Sequence, residues 1–150
     1  YLPLSAADPA HLLAVWALAD LVLGGEVPYL DLPATGLDPR ERSGRGYPLG
    51  RWRGTGLVYA EAEYRFPLAG HGLLGGVLFA NAVTASRPAL ADAAVGVREP
   101  ATALFAYVKP AGGTGLRLLM VKDIRLTAEI DAAWSVEGFG GLYVNLFEVF

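Results

Sequence analysis

Apolar and polar residues alternate with a period of two along several stretches of this chain. In TGLVYAEAEYRFPL, Val58, Ala60, Ala62, Tyr64, Phe66 and Leu68 share one face, and Tyr59, Glu61, Glu63 and Arg65 lie opposite. In IRLTAEIDAAWS, Leu126, Ala128, Ile130, Ala132 and Trp134 separate from Arg125, Thr127, Glu129, Asp131 and Ser135 in the same way. Each pattern predicts a long strand with one greasy side and one charged side.

Other segments fit the scheme less sharply. HLLAVWALADLVLGG (11–25) is rich in helix-forming Leu and Ala, and Asp8-Pro9 makes a fair helix start. As a strand, however, Leu13, Val15, Ala17, Ala19, Leu21 and Leu23 make one wholly apolar face, and the strand reading is preferred. GLLGGVLFANAV (72–83) is apolar and glycine-rich on both faces, with Asn81 its main polar group. GTGLRLLMV (113–121) sets Leu116, Leu118 and Met120 against Arg117. In the last strand Leu142, Val144, Leu146 and Phe150 share a face with Glu148. Segments 68–72 and 137–141 read as tight turns, while 25–54 and 87–111 are long and irregular. Strands of this kind, joined by short turns and long loops, predict an all-β fold, an antiparallel transmembrane β-barrel.

Composition narrows the choice. One domain accounts for 150 residues. A mean hydropathy of +0.37 beside 19 glycines and 10 prolines is unusual for a soluble domain and wrong for a helical membrane protein. No apolar run is long enough for a membrane helix. A net charge of −3 argues against nucleic acid as a partner, and the absence of cysteine excludes disulfides and thiolate metal sites. The start, YLPLSAADPA, has no Met and no signal-peptide pattern, as expected of a mature or internal piece of a longer protein.

Alternation alone does not say which face is wet, since a soluble ligand-binding barrel inverts the pattern. Two features favour the membrane. The charged faces carry carboxylates and arginines that can pair inside a lumen, and Tyr64, Phe66, Trp134 and Phe150 lie near strand ends, where an interfacial girdle belongs.

The densest polar chemistry lies between two strands. Arg40 to Arg53 holds Arg40, Arg42, Arg45, Arg51 and Arg53, and SGRGYPLGRWRG within it adds four glycines and two aromatics. Phosphate binding is one reading of that cluster and a solvated loop another. Glu61/Glu63 and Glu129/Asp131 are carboxylates two apart on one strand face, and ion pairing suits them better than glycoside hydrolysis. His11 and His71 have no second ligand at metal spacing, and the GTG (54–56) and GGTG (112–115) runs lack the strand–loop–helix context of a phosphate cradle. No nucleophile elbow is present. The expectation is no catalytic residue, no metal, no cofactor and no enzyme activity.

In order along the chain come GGEVPY, GRGYPLGRWRG, AEYRFPL, GGVLFANAV, KPAGGTGLRL and IDAAWS…GGLYVNLFEVF. That series resembles the C-terminal end of the bacterial surface-antigen superfamily, the BamA/TamA-type outer-membrane barrels, over nearly the whole chain. The resemblance implies about six C-terminal strands of a barrel of about sixteen, the rest belonging to sequence upstream. It implies a loop at about 25–54 folded into the lumen, with Arg45, Gly46 and Tyr47 matching an Arg-Gly-aromatic tip. Gly44 stands where the family usually has a small aliphatic residue. The arginine's partners would be acidic: Glu63, with Glu61, Glu129 or Asp131 in support. Asn81 stands where the family has an aspartate.

The final strand, with Tyr143, Leu146 and Phe150, is similar to the signal read by barrel-assembly machinery. Implied partners are outer-membrane lipids, the rest of the barrel, client outer-membrane proteins and that machinery. The implied place is the outer membrane of a Gram-negative bacterium, and the implied role protein insertion or translocation without covalent chemistry. Alternatives are the barrel anchor of a surface or lipase-linked protein, and a soluble ligand-binding barrel. Arg40, Arg42, Arg51 and Arg53 are expected to be ordinary solvated arginines.

Overall fold

The computed structural model describes residues 1–4, 10–39, 42–69, 73–92, 97–121 and 126–146. The fold is all-β. Strands β1 (Leu2–Pro3), β2 (Leu12–Leu21), β3 (Gly56–Pro67), β4 (Leu74–Ser86), β7 (Lys109–Val121), β8 (Leu126–Ser135) and β9 (Gly138–Asn145) form one seven-stranded sheet in that order. Every neighbouring pair is antiparallel, and the sheet is open, with β1 and β9 at its edges. A separate hairpin, β5 (Leu90–Asp92) and β6 (Val97–Glu99), sits in the loop between β4 and β7. The only helical element among the described residues is one 3₁₀ turn, Tyr29–Asp31.

Within the 11–25 segment Leu12 to Leu21 form a strand, and Val22 to Gly25 do not: β2 pairs residue for residue with β3, from Leu12 opposite Arg65 to Leu21 opposite Gly56. Strand β7 begins four residues earlier than the alternation suggests, at Lys109, because Lys109 to Gly113 pair with Val83 to Phe79. Lys109 to Ala111 read as the end of a long irregular loop, yet they are strand, and the glycines that follow leave the space that the packing needs. A Cβ at Gly113 would strike the Phe79 ring and the Ala132 carbonyl, and one at Gly115 would strike the Asp131 carboxylate. Strand β1 is a two-residue addition that a period-two pattern is too short to reveal.

Register sorts the strand side chains strictly. All eight charged residues of β2, β3, β4, β7, β8 and β9 lie on one face: Asp20, Glu61, Glu63, Arg65, Lys109, Arg117, Glu129 and Asp131. The opposite face carries no charge. There Val15, Leu78, Leu118, Met120, Ile130, Leu142 and Val144 are exposed. Loop 22–55 crosses the charged face and covers it. The apolar core sits between loop and sheet, with Tyr47 and Trp52 packed on Leu57, Tyr59, Val83 and Ala85. A second, smaller cluster joins Val77, Phe79 and Ala133, with Tyr143 against it.

Candidate functional site: an arginine–carboxylate network under the loop

The loop is a folded object. At its base Gly54 donates to the Pro33 carbonyl (3.0 Å), Thr35 to Trp52 (2.9 Å) and Gly50 to Thr35 (2.8 Å). Farther in, the Asp38 carboxylate accepts from the Ser43 amide (3.0 Å) and hydroxyl, while the Ser43 oxygen accepts from the Gly36 amide (2.9 Å). These bonds present the turn Ser43–Tyr47, closed by Tyr47 N–H donating to the Gly44 carbonyl at 2.9 Å. Gly44 and Gly46, on either side of Arg45, have φ of +85° and +101°. A side chain is strained in that region, and a Cβ at Gly44 would also meet Thr35. That is the physical reason a small aliphatic residue is absent at position 44.

The turn drives Arg45 against the sheet, where it is 3% exposed. Its guanidinium donates twice to Glu61 (Nε to Oε2 at 2.9 Å, and Nη2 to Oε1), once to Glu63 (2.8 Å) and once to Asp131 (2.6 Å). Its plane lies over the Phe79 ring, 3.7 Å from the centroid. Asn81 takes no part in holding the guanidinium: its Nδ2 donates to the backbone carbonyl of Arg45 at 2.9 Å. Gly46 N–H donates to the Tyr143 hydroxyl (2.9 Å), and the Tyr47 hydroxyl donates to the Pro110 carbonyl (2.8 Å). The tip is therefore bonded to β3, β4, β7, β8 and β9.

Glu63, fully buried, is the hub of a larger network. It accepts from Arg42 (3.2 Å), Arg45 (2.8 Å), Arg65 (2.7 Å) and Arg117 (3.3 Å). Arg117 also pairs with Asp131 and with Glu129, its Nε 3.3 Å from Glu129 Oε1, and Arg42 reaches Glu129 at 3.5 Å. Glu61 further accepts from the Tyr59 hydroxyl (2.6 Å) and the Trp16 indole (3.2 Å). Among the described residues four carboxylates thus meet four guanidiniums, and their charges balance. Neutrality matters because a buried charge without its partner is strongly destabilising. Burial acts to lower the pKa of Arg45, but its hydrogen bonds to Glu61 and the charges of the nearby carboxylates outweigh it and raise the pKa. At Arg42 burial and the neighbouring Arg45 win, and the pKa is lowered.

No family model, curated protein or solved structure matches the chain. The site therefore rests on its own geometry.

That geometry changes the reading of the loop arginines. Arg42 is 6% exposed and bound to Glu63 and Glu129, so its expected solvated state is corrected: the Ser43–Asp38 bonds turn it inward. Arg53 is structural, its Nη1 donating to the carbonyls of Tyr29 and Leu30 (both 2.8 Å) and so capping the 3₁₀ turn. Arg51 makes an exposed, two-bond pair with Glu137 (3.0 Å each). Arg40, His71, Glu148 and Phe150 lie outside the described residues. His11 Nδ1 lies 2.7 Å from the Tyr64 hydroxyl. Leu146 is exposed just past β9, whereas Tyr143 faces the loop tip. Arg117 had no role in the sequence reading. Its one signal is a lone charge in GTGLRLLMV, the strand that pairs with the carboxylate-bearing β8.

Proposed function

We infer that this chain is the C-terminal part of a transmembrane β-barrel of the bacterial outer membrane, related to the BamA/TamA-type insertion and translocation barrels. In that setting loop 22–55 lies in the lumen, latched by Arg45. The observation that carries the reading is the segregation of charge. Six long strands put eight charged residues on the loop-covered face and none on the other, where Ile130 is 50% and Leu142 70% exposed. Water penalises such a face, while hydrocarbon favours it. A soluble ligand-binding barrel needs the reverse arrangement. Tyr64 and Phe66 near one end of the strands and Trp134 near the other fit the interfacial girdle.

A bilayer tolerates no unpaired sheet edge, so further strands must pair with β1 and β9 to close the barrel. The protein's role is then non-covalent: insertion or passage of other proteins past a plugged lumen. Membrane extraction tests the reading. The protein is expected to partition with detergent and to resist carbonate washing of membranes. Recovery in the aqueous phase without detergent overturns it.

A further inference from the structure

A second polar feature lies at the loop end of the sheet and takes no part in the latch. It is a cleft of about 360 Å³ whose charged lining is Arg51, Arg87, Lys109 and Glu137. Trp52, Tyr107 and Thr102 complete the wall. Glu137 is committed, both its oxygens accepting from Arg51. Neither of the other two cations makes an ion pair with a described residue. Arg87 uses Nε to donate to the Arg53 carbonyl (3.0 Å), which fixes its guanidinium and leaves the terminal nitrogens unused. The Lys109 ammonium lies 5.2 Å from the Trp52 ring centroid and makes no hydrogen bond or ion pair with a described residue. The hydroxyls of Tyr107 and Thr102 also have no described partner.

The contrast with the latch is informative. Among the described residues four carboxylates balance four guanidiniums there, whereas the cleft carries a surplus of two positive charges. We propose that this cleft binds a phosphate-class dianion between Arg87 and Lys109, with the Tyr107 and Thr102 hydroxyls as neutral donors. A guanidinium held by its own Nε bond presents the two-pronged donor edge that phosphate oxygens match, and the ammonium adds a point charge. The phosphate belongs either to a free phosphorylated solute or to a lipid headgroup. The inference is independent of the solvent bathing the open face.

Titration of the full chain with inorganic pyrophosphate, followed by calorimetry in detergent micelles, tests it. Saturable binding is expected, and Lys109→Gln and Arg87→Gln should each weaken it about tenfold. Both variants should keep the protease protection of the tip around Arg45, because neither residue touches Arg45 or its carboxylates, whereas their contacts with Trp52 and Arg53 lie at the loop's base. Added phosphatidylglycerol that displaces pyrophosphate assigns the site to a headgroup, and failure to displace assigns it to a free solute. No saturable binding, or equal affinity in both variants and the parent, overturns the proposal.

Discussion

Arg45 and Glu61 meet as a fork: two guanidinium nitrogens of the loop residue donate to the two carboxylate oxygens of the strand residue. Glu63 and Asp131 take the remaining directions. Such planar recognition belongs to arginine and not to lysine. Arg45→Ala leaves three buried carboxylates short of a partner and should cost about 3–5 kcal/mol. Arg45→Lys should recover only part of that, since an ammonium has no second nitrogen to complete the fork on Glu61. The readout is limited proteolysis of segment 34–53, with thermal melting beside it. In an intact barrel Arg45→Ala should also change conductance. Protection equal to the parent's in Arg45→Ala would reduce Arg45 to an ordinary surface residue.

Asn81 bears on the same turn from the other side. Its amide donates to the Arg45 carbonyl, and its row in the sheet runs Glu61, Asn81, Ala111. An ionised aspartate there cannot donate, and it would add a fifth negative charge to the four carboxylates that the described guanidiniums balance. Asn81→Asp should therefore destabilise the loop by about 1–3 kcal/mol, and more than Asn81→Ala does. Melting of the two variants in parallel checks the order. An aspartate variant as stable as the parent would mean that the network accommodates a fifth carboxylate.

Much of this was legible because strands alternate. Glu61, Glu63, Glu129 and Asp131 share a face by spacing alone, and the apolar positions between them define the other. The loop has no period, so nothing in RSGRGYPLGRWRG distinguishes Arg42, which turns inward, from Arg51, which pairs at the surface. The difference is made by Asp38 binding Ser43, a contact between residues that no pattern links. At the start of β7 the sequence suggests an irregular loop up to residue 111 where the structure has strand, and Gly113 leaves the space filled by Phe79.

The bulge in the last strand pair tests how the tip and β9 fit. Register shifts between Ala133 and Trp134, and Gly140 in β9 lies directly beneath Gly46. A Cβ at Gly140 would meet the Gly46 carbonyl, backbone against backbone, so Gly140→Ala must displace the tip. Tyr143→Phe removes the acceptor of the Gly46 amide and should cost about 1 kcal/mol. Hydrogen exchange at Gly46 should speed up in both variants, and more in Gly140→Ala. Unchanged exchange would place the tip's anchorage elsewhere.

Acid should loosen the loop at its outer end before its centre. The Glu137 carboxyl is held below its ordinary value, first by the hydrogen bond from Arg51, then by the positive charge of Arg51 and Lys109. A depressed carboxylate contributes its full stabilisation above its ordinary pKa of about 4.3 and loses it as pH falls through the lowered value. Above that window, exchange of the Arg51 to Gly54 amides, corrected for intrinsic rates, should not vary with pH. Below it, exchange should rise a few-fold at most, since the pair is exposed and salt-screened. Glu137→Gln should show the faster exchange at every pH and abolish the dependence. A pH dependence that survives in Glu137→Gln would assign the acid sensitivity to a different group.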